Sequence, residues 1–95
     1  MGLYMMFGKY NPGAMRDVSP ERTERAIALV ERNGGKIVSG YALLGNTDLL
    51  LIVDFPETPQ VVRTSLALGN LLGVSFTTAP AVTIEEFDKL AKEEG

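Results

Sequence analysis

Five side chains in this sequence have the type and placement to do chemistry: Lys9, Tyr10, Tyr41, Asp48 and Arg63. Asp48 directly precedes the apolar run Leu49-Leu50-Leu51-Ile52-Val53, so its carboxylate is a candidate base or ligand anchor at the edge of a core. The plainer use of such an aspartate is to satisfy the backbone of the turn beside it. Tyr10 and Tyr41 can line a small-molecule pocket between sheet and helices, with Lys9 or Arg63 supplying a cation for an acidic ligand. The plainer alternative leaves both tyrosines at a core edge or subunit seam and both cations solvated.

What is missing narrows the chemistry further. The chain has no histidine and no cysteine. That removes a thiol nucleophile, a Ser-His-Asp triad and an imidazole base. It also removes disulfides and the usual ligands of zinc, iron–sulfur and haem sites. No cofactor and no metal is expected, and any metal would have to be held by carboxylates. The acidic residues Glu85, Glu86, Glu93 and Glu94 read as a solvated helix face rather than a cation site. Gly34-Gly35 and Asn70-Leu71-Leu72-Gly73 lack the strand-loop-helix spacing of a phosphate-binding loop and read as helix stops.

The elements that must position these groups follow from local signals. Leu3 to Lys9 reads as a strand ended by the turn formers Asn11-Pro12-Gly13. Ser19-Pro20 opens a helix with Glu21 in its first turn, and Thr23, Ala26, Ile27 and Val30 recur on one face. Asn33-Gly34-Gly35 stops it. Lys36 to Leu44 is a second strand, placing Ile37, Ser39, Tyr41 and Leu43 on one face. Gly45-Asn46 signals a two-residue hairpin into the third strand, Leu49 to Val53. Thr58-Pro59 repeats the cap-then-proline signature for a helix to about Asn70, burying Val61, Val62, Ser65, Leu66, Leu68 and Gly69. Gly73 to Val82 is the fourth strand, with Val74, Phe76 and Thr78 on one face and Pro80 at its end or on an edge. Thr83-Ile84-Glu85-Glu86 is a capping box for a last helix with the stripe Ile84, Phe87, Leu90 and Ala91.

The order β-α-β-β-α-β plus a terminal helix predicts a ferredoxin-like α+β plait: an antiparallel four-stranded sheet with helices on one face. At 95 residues, residues 1–95 are expected to form a single domain. Such a domain buries only about 60 to 65% of its unfolded surface. Strands one and three carry large apolar groups of both parities, more than one covered face can hide. A homo-oligomer joined through the sheet face is therefore expected, giving a dimeric α/β-barrel-like assembly. The alternative is a terminal helix folded back over the open face. The net charge of −3 gives no footprint for nucleic acid, and no segment suits a signal peptide or membrane span. A cytoplasmic protein with neither nucleic-acid nor membrane partners is expected.

Several short motifs, in order and spacing, carry a resemblance across most of the chain. They are Phe7-Gly8-Lys9-Tyr10, Pro20-Glu21-Arg22, Gly34-Gly35-Lys36, Gly45-Asn46-Thr47-Asp48-Leu49, Val53-Asp54-Phe55-Pro56 and Ala67-Leu68-Gly69-Asn70-Leu71. In this the chain resembles GYD-domain proteins, small and largely uncharacterised microbial proteins of ferredoxin-like fold. Thr47 departs from the family pattern, which has tyrosine there. The resemblance implies a fold and an oligomeric habit, with no activity to carry over. Three functions remain in view. The first is an oligomer that binds or senses a small molecule without catalysis. The second is a cofactor-independent enzyme of monooxygenase or isomerase type, by analogy with similar dimeric barrels. The third is a protein interaction module using an edge strand or the terminal helix.

Overall fold

The computed structural model describes residues 2–94; Met1, one of the four methionines, lies outside the described residues, as does Gly95. The strands are β1 (Gly2–Tyr10), β2 (Lys36–Ala42), β3 (Leu49–Phe55) and β4 (Val74–Ala81), with helices α1 (Pro20–Arg32), α2 (Thr58–Leu72) and α3 (Ile84–Glu94). A single 3-10 turn, Ala14–Asp17, lies between β1 and α1. The sheet order is β2-β3-β1-β4 with every neighbouring pair antiparallel. This is the ferredoxin-like arrangement.

Local chemistry explains most boundaries. The Arg22 N–H donates to the Ser19 hydroxyl at 3.1 Å, with Pro20 in the first helical turn. Gly34, at φ 91°, ends α1, and the Gly35 N–H reaches back to the Val30 carbonyl at 3.0 Å. Gly73, at φ 66°, ends α2. Glu57 rather than Thr58 caps α2, because the extended backbone is at Glu57 and its N–H donates to the Gln60 side chain at 3.1 Å. Thr58 is left free to meet the Tyr4 hydroxyl at 3.0 Å. At α3, the Glu86 N–H donates to the Thr83 hydroxyl at 3.0 Å, as its capping sequence predicts.

One face of the sheet meets α1 and α2. Met6, Leu51, Val53, Phe55 and Val74 pack there against Ala26, Leu29, Val30, Val61, Leu68 and Leu72. The buried side of α1 is turned from the expected one: Arg22, Ala26, Leu29 and Val30 point inward, while Thr23 and Ile27 are exposed. On α2, Val62 and Leu66 are exposed and Thr64 is buried. Thr64 can go inside because its hydroxyl donates to the Gln60 carbonyl at 2.7 Å, one turn back. Val74, Phe76 and Thr78 do share the helix side of β4, an edge strand that tolerates Pro80.

Two expectations about β2 fail together. Ile37 pairs with Val53, yet Ser39 pairs with Ile52, so Val38 is an extra, bulged residue. Ile37 therefore packs on the helix side, while Ser39 and Tyr41 fall on the opposite face. The two-residue hairpin does not form either. The Leu43 N–H donates to the Asp48 carbonyl at 2.9 Å, leaving Leu44 to Thr47 as the loop. Asp48 is held toward β1, its N–H donating to the Gly8 carbonyl at 2.8 Å, which opens the turn.

The second sheet face has no helix over it. Register places Leu3 and Asp54 across from Ala81 and Lys36, then Met5 and Ile52 between Ala79 and Ser39, then Phe7 and Leu50 between Thr77 and Tyr41. No described residue of α3 is buried, so the terminal helix does not fold back to cover them. The molecule measures 49 × 30 × 19 Å, and its thin dimension holds one sheet and one helix layer.

Candidate functional site

β1 ends where α1 begins to cover the sheet, and this corner brings three of the five sequence candidates together. The Tyr10 N–H donates to the Asp48 carboxylate at 2.9 Å, and the exposed Lys9 ammonium stands 4.0 Å from the same oxygen. Asp48 thus secures backbone, though of the neighbouring strand rather than of its own turn. Tyr10 lies on the helix side of the sheet and Tyr41 on the open side, opposite Leu50. Arg63 is exposed on α2. Asp48, Tyr41 and Arg63 therefore lie on different elements and on both sides of the sheet, and none of them lines the cavities described below.

Three hollows lie on the helix side. Two adjoin along the cleft between α2 and β4. One, of about 250 Å³, is walled by Tyr4, Val61, Val62, Leu66, Phe76 and Pro80. The other, of about 380 Å³, runs on past Leu66 and Phe76 to Asn11 and Asn70. Ser65 and Thr78 supply polar groups to the first but bond to each other at 3.1 Å. The third hollow, of about 90 Å³, lies between α1 and the sheet beside Tyr10.

The third hollow contains the residue that sequence reasoning missed. Arg22 is only 7% exposed. Its guanidinium stands 5.9 Å from the centre of the Tyr10 ring and donates to the Ala14 carbonyl at 3.2 Å. Two signals point to it: Arg22 leads the spacing Arg22, Ala26, Leu29, Val30 of the buried face, and it sets a cation in the first turn, where the helix dipole disfavours one. Among the described residues no group of acidic side chains could hold a metal ion, and no helix is long and apolar enough to cross a membrane.

The family model for the GYD domain matches residues 4–91. The chain belongs to the GYD domain family. Among curated proteins this GYD-domain chain has no match. Among solved structures it is similar to the Mycobacterium tuberculosis leucine response regulatory protein, with a TM-score of 0.56 at 11% identity. The likeness covers 86% of this chain and 51% of that one, so the GYD-domain chain spans about half of its structural neighbour. At that identity the likeness is one of fold.

Proposed function

We propose that this GYD-domain chain is a ligand-binding or sensing oligomer that does no catalysis, in which copies close over one another's open sheet faces. In this reading residues 1–95 are one domain, acting in the cytoplasm with no nucleic-acid or membrane partner. The observation that carries it is the open face itself. Leu3, Met5, Leu50 and Ile52 are half-buried there with Phe7 and Tyr41 exposed beside them, and no helix among the described residues covers them. Each large apolar side chain fully withdrawn from water contributes about 1.5–3 kcal/mol. These are partly covered already, so several must act together against association costs of about 4–15 kcal/mol.

Asp54 sits on this same face, and its Oδ1 is buried and accepts no hydrogen bond among the described residues. Such an orphaned acceptor costs about 1–3 kcal/mol. The regulatory character of the structural neighbour is compatible with sensing. A cofactor-independent enzyme would need Asp48, Tyr41 and Arg63 to converge, and they stand apart.

Size-exclusion chromatography with light scattering tests the assembly: a multiple of one chain's mass is expected at micromolar concentration, and a strict monomer would sink the proposal. Thermal-shift screening against metabolites tests the sensing. Reproducible stabilisation without turnover is expected, and indifference to a broad library would count against it.

A further inference from the structure

Arg22 is a buried cation without an acid. Among the described residues the ion pairs are Lys9 with Asp48 and Glu85 with Lys89, and no carboxylate pairs with Arg22. A guanidinium carries five N–H donors, and only the bond to the Ala14 carbonyl is made within the described chain. Asp54 Oδ1 is the one fully buried side-chain polar atom without a partner among the described residues, so the remaining Arg22 N–H groups still reach solvent, where a ligand can take the place of water. The Tyr10 ring adds a cation–π contact but accepts no conventional hydrogen bond. Arg22 lines the 90 Å³ hollow, and so does Tyr10, whose hydroxyl has no hydrogen-bond partner among the described residues. The remaining wall is aliphatic: Ala26, Ile37, Leu49, Leu51 and Leu72. Exposed Val18, Thr23 and Ile27 form the rim, so the hollow opens to solvent.

From these observations we infer that the hollow between α1 and the sheet is a binding site for a small aliphatic carboxylate, held by the Arg22 guanidinium with its tail against Leu49, Leu51 and Leu72. The fork of a guanidinium matches a carboxylate in two parallel bonds. The volume equals about three waters at roughly 30 Å³ each, the scale of propionate or isobutyrate. An aliphatic wall suits their tails and leaves the outer oxygens of a phosphate little beyond the Tyr10 hydroxyl. The position in the first turn of α1 favours an anion as well, since the helix dipole and Arg22 then act in the same sense. This inference rests on the ligand-binding reading and assigns its site.

The test is an amide-detected NMR titration of the whole chain with sodium propionate, sodium isobutyrate, propionamide and sodium phosphate, each referenced to sodium chloride at equal ionic strength. Saturable shifts are expected with both carboxylates at the amides of Tyr10, Thr23, Ala26, Ile37 and Leu51, and with neither propionamide nor phosphate. Arg22→Met should weaken binding by about tenfold to a hundredfold, the range of a lost charge-assisted hydrogen bond. Because Arg22 also ties down Ala14, that variant can unfold. Ile27→Trp then decides: it blocks the rim without touching the guanidinium, and should abolish the shifts while the melting temperature stays near that of the parent. Absence of saturable shifts, equal titration by propionamide or phosphate, or unchanged binding in Ile27→Trp would overturn the inference. A metabolite that stabilises the protein without moving these amides would leave sensing in place and remove Arg22 from it.

Discussion

The Asp48 carboxylate accepts the Tyr10 backbone N–H at 2.9 Å, joining residues 38 positions apart in the sequence. The bond fastens the end of β1 to the approach to β3. Removing the acceptor leaves a part-buried N–H unpaired, so Asp48→Ala should destabilise the fold by about 1.5–3 kcal/mol, the range for a bond to a charged group. The nearby ion pair is another matter: Lys9 is exposed and 4.0 Å away, and Lys9→Met should cost less than about 0.5 kcal/mol. Urea denaturation of the two variants separates them. Equal losses would mean that the ion pair, not the N–H bond, secures the corner.

Ile52 stands mid-sheet on the open face, between Met5 and Ser39. A carboxylate there would be stranded in any apolar interface. Ile52→Asp should give a monomer by light scattering while keeping the parent's far-ultraviolet circular dichroism. If it still elutes as an oligomer, copies meet elsewhere.

Two glycines mark where backbone and ring approach too closely for a side chain. A Cβ at Gly8 would lie 2.6 Å from Val74 Cγ1 and 2.9 Å from Phe76 Cε1, and one at Gly35 would meet the Phe55 ring. Gly8→Ala and Gly35→Ala should each cost about 1–3 kcal/mol through overpacking, read as a lowered melting temperature. An unchanged melting temperature would show that the neighbouring side chains move aside freely.

Phe55 and Phe87 offer a contrast in which ring type is constant and only burial differs. Phe55 is wholly buried and Phe87 lies on the exposed stripe of α3. Phe55→Ala should cost about 3–5 kcal/mol, and Phe87→Ala less than about 0.5 kcal/mol in dilute, unassociated protein. Chemical denaturation at low concentration measures both. A large loss at Phe87 would mean that α3 packs onto something even there.

Element types, their order and most termini were legible because they rest on local chemistry: the Ser19 cap, the glycine stops after both long helices, and the alternation of β4. The errors share a different cause. Thr64 goes inside and Leu66 stays outside because a hydroxyl can satisfy itself on the helix backbone, which hydropathy counts do not register. The turn after β2 opens because Asp48 bonds to β1, a partner that no window around the turn contains. The candidate site was half visible. Tyr10, Lys9 and Asp48 do gather, but Arg22 was hidden by its charge, since an arginine in a first turn reads as solvent-facing until the buried face of α1 is known.

The bulged Val38 acts on parity. Ile37 and Tyr41 are four positions apart, a spacing that puts two residues on one face of a regular strand, and the extra residue parts them: Ile37 meets the helices and Tyr41 the open face. A β2 that paired straight through Val38 would carry Tyr41 into the helix layer and Gly40 the other way, with every side chain chemically intact. The character of the face on which copies are proposed to meet is thus set by one irregularity of pairing as well as by side-chain type.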